Sequence, residues 1–307
     1  MKKFALIFML TMVFPLLMKA CDMCGCGVGN SYIGILPDFH KHIFGIRYRH
    51  NSMLTHVGVG GSFTYLTTKE TYHTMELWGG WNIGRKFRLM ISIPYSFNER
   101  TNQGISKSKN GFGDITLSGY YQLLNKRKTV FGNKLLVQSL WAGAGIKSAT
   151  GKYNPSDKTS TNNNANLFQL GTGSYDFNVG AMYDIRLQDI GMNLSANYKI
   201  TTANKYDYKY GNKFNLNAQA YYKIKITKKL TLSPNAGVQF EQTKTDLDKG
   251  FNVTVSGGNL FLGTAGVEMT WNKIAVGANY QPVINQSLAN GIVKANNRMM
   301  VHVALAL

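Results

Sequence analysis

Alternation of apolar and polar side chains recurs along the chain. In FNLNAQAYYKI, Phe214, Leu216, Ala218, Ala220, Tyr222 and Ile224 fall on one side, with Asn215, Asn217, Gln219, Tyr221 and Lys223 on the other. Successive side chains of a strand point to opposite faces, so this is a strand with one apolar and one polar face. GMNLSANYKI and YDFNVGAMYDI divide the same way. Marking such segments predicts twelve strands, near 42–50, 70–82, 86–96, 112–124, 133–147, 173–186, 191–202, 213–225, 229–241, 259–271, 273–284 and 298–307.

The connections alternate too. Odd ones are long (NSMLTHVGVGGSFTYLTTK, TNQGISKSKN, SATGKYNPSDKTSTNNNANLFQLG, QTKTDLDKGFNVTVSGGN), whereas even ones are tight (IGR, LQDI, ITK, and a near-direct reversal at Asn272-Lys273), with KRKTVFG of middling length. An even strand number with long outer loops and short periplasmic turns is the signature of an outer-membrane barrel. On the apolar face, Tyr48, Tyr95, Tyr175, Tyr198, Phe214, Phe240, Phe261 and Tyr280 gather at the loop end, and Trp81, Phe87, Tyr121, Tyr183, Tyr222 and Trp271 at the turn end. Rings at both ends form the two girdles of a membrane-crossing wall. The predicted fold is therefore all-β, a closed antiparallel transmembrane β-barrel of about 12 strands in the bacterial outer membrane. A large soluble β domain with one wet face is the alternative reading.

Composition supports this picture. The chain has 32 Gly, 17 Tyr and 16 Phe against 6 Pro, and beyond the leader no apolar run is long enough for a membrane helix. MKKFALIFMLTMVFPLLMKA reads as a signal peptide, residues 1–20. Residues 21–41 are expected to form a Cys-containing periplasmic segment or short plug, and 42–307 the barrel.

Charge bears on function. Without Lys2, Lys3 and Lys19, 31 basic residues face 15 acidic ones, an excess of +16. In the predicted register the inward charges are Arg47, Arg49, Arg88, Lys199, Lys213 and Lys223 against Glu76, Asp114, Asp176, Asp184, Glu241 and Glu268, six of each sign. An even lumen argues against an anion channel and moves the basic excess to loops, turns and termini, where it suits outer-membrane lipid and lipopolysaccharide. Nothing points to nucleic acid. The polar interior is either a conduit for a small-molecule solute or a network that plugs the barrel in a structural or surface-binding role.

Two further chemistries are open. Cys21, Cys24 and Cys26, with His40 and His42, could complete a zinc or copper(I) site in a periplasmic tail serving metal handling. Alternatively the thiols form a disulfide, stay free, or Cys21 carries lipid. Catalysis is not expected. His40, His42, His50, His56, His73 and His302 accompany no Gly-x-Ser-x-Gly motif, and His73 and His302 lie in strands where a satisfied polar contact is the ordinary role.

GFGDITLSGYYQLL, Gly111 to Leu124, and LGTGSYDFNVGAMYDI, Leu170 to Ile185, resemble recurring motifs of the outer-membrane transporters named for the meta-pathway of phenol degradation, relatives of fatty-acid and aromatic-hydrocarbon channels. The resemblance implies uptake of small, often hydrophobic molecules, released sideways into lipid. Pro234, inside a strand, is then either a lateral-gap candidate or an ordinary bulge.

Overall fold

The computed structural model describes residues 42–130, 132–157 and 166–307. Twelve strands form the wall: β1 (Ile43–Thr55), β2 (Thr68–Ile83), β3 (Phe87–Asn102), β4 (Thr116–Val130), β5 (Lys134–Lys147), β6 (Asp176–Leu187), β7 (Ile190–Ile200), β8 (Lys213–Tyr222), β9 (Leu230–Thr243), β10 (Gly258–Trp271), β11 (Ile274–Gln281) and β12 (Arg298–Ala306). Each pairs antiparallel with its sequence neighbours, and β1 closes onto β12 from Ile43↔Ala306 to His50↔Met299. Closure satisfies the backbone groups that hydrocarbon would leave unpaired.

All twelve predicted strands are present, with shifted ends. KRKTVFG is not a loop of middling length, because β4 and β5 stay paired down to Val130↔Lys134. The chain reverses there at Gly132 and Asn133, whose φ values of 65° and 85° suit a tight turn. Asn272, with φ 53°, makes the reversal between Trp271 and Ile274. TNQGISKSKN is largely strand rather than loop. Residues 105–112 fold back on the outer half of β3, pairing Asn102↔Ile105 through Tyr95↔Phe112. Beyond Gln281, residues 283–288 lean over to pair with the outer half of β10.

Outward positions are apolar and open, such as Val301, Val303 and Leu305 on β12, while His302 and Ala304 between them are buried. The inward positions of β2 descend through the lumen as Glu70, Tyr72, Thr74, Glu76, Trp78 and Gly80, all buried. The lumen's zones follow that order: an apolar outer cap around Tyr72, a charged middle around Glu76, and an aromatic floor at Trp78.

A capped lumen and its cavity

The outer mouth is closed by its own loops. Leu167, Tyr208, Tyr210, Val253, Val255, Leu288 and Val293 come from outer connections and pack with Met53, Tyr72, Leu260 and Leu262 of the strands as one buried apolar cluster. Polar groups beneath it are matched. Asp246 is fully buried, accepting from Tyr208 Oη at 2.5 Å and from Gly211 N at 2.8 Å. Glu70 binds Tyr72 Oη and takes Arg100 Nε and Nη2, each at 2.7 Å. The sequence reading missed this cap, although its signal was present: Leu167, Val253 and Val255 are apolar residues inside loops that are otherwise polar.

Asp114 draws the longest connection, 148–175, into the barrel. Its Oδ1 accepts Gly151 N at 2.9 Å, and its Oδ2 accepts Thr172 N at 2.8 Å and Lys147 Nζ at 2.5 Å. The fit excludes side chains, since a Cβ on Gly171 would stand 2.5 Å from Asp114 Oδ1 and 2.6 Å from the Gly151 backbone. Lys147 also reaches Asp176 Oδ2 at 3.1 Å, which Lys199 meets at 3.0 Å. On the facing wall, Glu76 Oε2 takes Arg49 at 3.1 Å and Arg47 at 3.6 Å, and Ser92 Oγ donates to Oε1.

Between these groups, under the cap, lies a cavity of about 130 Å³. Arg47, Arg49, Glu76, Asp114, Asp176 and Lys199 all line it, joined by Lys147, Trp78, Met90, Tyr120 and Leu170. Its floor is apolar and aromatic, with Met90 touching both the Ile43–Trp78–Ala304 and the Tyr120–Trp141–Met182 groups. Ile91 and Phe177 also line it, although they are 41% and 48% exposed on the lipid side. Ile91 adjoins an irregularity in the wall. The β3–β4 ladder stops at Ser92↔Thr116, Pro94 has no N–H to continue it, and the chain crosses at Gly113, whose N–H donates to Pro94 O at 2.9 Å.

The remaining predicted residues lie outside the cavity. Arg88 is buried below it, against Gly80. Near the turn end Asp184 takes Tyr221 Oη at 3.0 Å, and Lys223 stands over the Tyr221 ring. Glu241 is bound by Arg298 at 2.7 Å, Glu268 lies 3.1 Å from His302 Nε2, and Lys213 is buried. The inward set is larger than six of each sign: Lys147 and Arg298, at strand ends where the inward parity was hard to read, are buried in the lumen, and so are Glu70 and Asp246, which keeps the two signs close to balance. Exposed Arg85, Lys86, Lys126, Arg127, Lys128, Lys225, Lys228, Lys229 and Lys273 crowd the turn end, so much of the basic excess faces the periplasmic side rather than the outer loops.

At Pro234 the ladder toward β10 continues through Pro234↔Val267, whereas toward β8 it is interrupted between Tyr221↔Asn235 and Ile224↔Leu232, a bulge in which Lys223 N donates to Asp189 O at 2.7 Å instead. Cys21, Cys24, Cys26 and His40 lie outside the described residues. His42 stacks on Trp81 with centroids 4.1 Å apart, and its Nδ1 accepts Asn82 N at 3.1 Å. Among the described residues no group of three or more metal-binding side chains comes together.

The solved structure of an outer membrane channel from Pseudomonas putida F1 matches 89% of this chain and 100% of its own, with a TM-score of 0.60 and 12% identity. The translocator domain of the autotransporter NalP from Neisseria meningitidis matches 88% of this chain and 90% of its own, at TM-score 0.41 and 10% identity. No curated protein matches. The first likeness confirms the barrel, and the barrel places the protein in the bacterial outer membrane. A family model described as "Putative MetA-pathway of phenol degradation" matches residues 51–292, most of the chain, and the chain belongs to that family.

Proposed function

We propose that this outer-membrane channel admits small molecules with an apolar body, which reach the cavity from the lipid side where the β3–β4 ladder breaks beyond Ser92, rather than through the capped outer mouth. The observation that carries the reading is the cavity itself, since its lining includes two residues of the lipid-facing surface. Its size agrees, because a cavity of roughly 150 Å³ accommodates benzene. The family description, which names phenol degradation, supports solutes of that size.

Filling the break tests this. A Cβ on Gly113 would sit 3.0 Å from Pro94 Cγ and 3.2 Å from Leu170 O, so Gly113→Leu obstructs the passage. Uptake of small aromatic solutes by cells expressing the barrel is expected to fall with this variant at unchanged surface abundance. The polar network and the cap favour a second reading, a structural barrel that passes nothing. That reading requires wild-type uptake equal to that of cells lacking the protein. Anionic outer-membrane lipid, including lipopolysaccharide, is the partner proposed for the basic rims.

A further inference from the structure

Around the cavity, four cations (Arg47, Arg49, Lys147, Lys199) face three carboxylates (Glu76, Asp114, Asp176), so the site carries one positive charge beyond its internal pairs. What a solute meets is more one-sided still. The carboxylate side chains are 0–1% exposed, whereas Arg49 and Lys199 keep 13% and 17% of their surface, on the inward face of β1 and β7. The carboxylates thus hold the cations in place while the cations present the charge. A second observation points to a ligand: Trp78 lines this space, and its Nε1 is buried and makes no hydrogen bond among the described residues. Leaving a buried donor without a partner is costly, and a bound acceptor or water recovers that cost.

We infer that the cavity selects small carboxylates: an acid whose apolar body, no larger than one ring, rests on Met90, Tyr120 and Leu170 while its carboxylate meets Arg49 and Lys199. A planar guanidinium is the side chain best matched to a carboxylate, and a charge-assisted hydrogen bond is about twice as strong as a neutral one. Neutral phenol-like solutes fit the space but leave the excess charge unmatched. This inference rests on the cavity being the solute site.

Binding to the full-length barrel in detergent separates the two ideas. Benzoate and benzyl alcohol are titrated by calorimetry against wild type, Arg49→Gln, Lys199→Gln and Arg49→Lys, with thermal melts to confirm folding. Expected is benzoate at least tenfold tighter than benzyl alcohol, a loss of about tenfold in each Gln variant, and substantial recovery in Arg49→Lys, with benzyl alcohol insensitive throughout. Equal binding of the two ligands, unchanged in the Gln variants, overturns the carboxylate preference and leaves the cavity standing. Failure of both ligands to bind folded wild type overturns the cavity reading, and this inference with it. If Arg49→Gln does not fold, Lys199→Gln decides alone.

Discussion

Lys147 Nζ stands 2.5 Å from Asp114 Oδ2, deep in the lumen, and the same carboxylate holds the backbone of Gly151 and Thr172. One acid thus neutralises a buried lysine and pins both ends of the connection that helps to roof the cavity. Removing it leaves Lys147 and Lys199 to share the single carboxylate of Asp176 and frees the loop.

Asp114→Ala is accordingly expected to lower stability by about 3–5 kcal/mol, the usual consequence of leaving one buried charge uncompensated. It should also raise the single-channel conductance in planar bilayers, because the loop that carries Leu167 into the cap loses its anchor. Wild type should conduct weakly.

Gly171→Ala tests the fit without touching charge. Its Cβ would collide with Asp114 Oδ1 and the Gly151 backbone, so the loop must move. The variant should resemble Asp114→Ala in conductance while losing about 1–3 kcal/mol, as overpacking usually costs.

Arg298 and Glu241 make a buried bidentate pair at 2.7 and 3.1 Å. Glu241→Gln alone should destabilise by about 3–5 kcal/mol, and the double change Glu241→Leu, Arg298→Met should recover most of that loss. Denaturant titration of folding into bilayers measures both.

Val303 lies on the lipid face, half exposed, beside buried His302 and Ala304. Val303→Arg should cost about 2–4 kcal/mol of folding free energy in bilayers, the range for a cation near the midplane of a barrel wall. A negligible cost would misplace the membrane.

The wall was legible because a strand's period of two reports burial directly. FNLNAQAYYKI became β8 with its faces as read, broken only at Lys223 opposite Pro234. Legibility ended where side chains answer to neighbours distant in sequence. Leu167 is buried in one cluster with Tyr72 of β2 and Tyr210 of another connection, which no local pattern reveals. Lys147 and Arg298 sit at strand ends, where parity is ambiguous, and their acids lie on other strands. Pro94 and Pro234 look equivalent as letters. Only pairing shows that each interrupts the ladder on one side, toward β4 for Pro94 and toward β8 for Pro234, while Glu76↔Pro94 and Pro234↔Val267 continue on the other.

The most direct test is uptake of a small labelled aromatic solute by cells whose only added outer-membrane protein is wild type, Gly113→Leu or Leu167→Asp, at matched surface levels. The account predicts uptake well above background for wild type, about a tenfold loss for Gly113→Leu, and no loss for Leu167→Asp, which loosens only the cap. Wild-type uptake at background, or full uptake through Gly113→Leu, would contradict it.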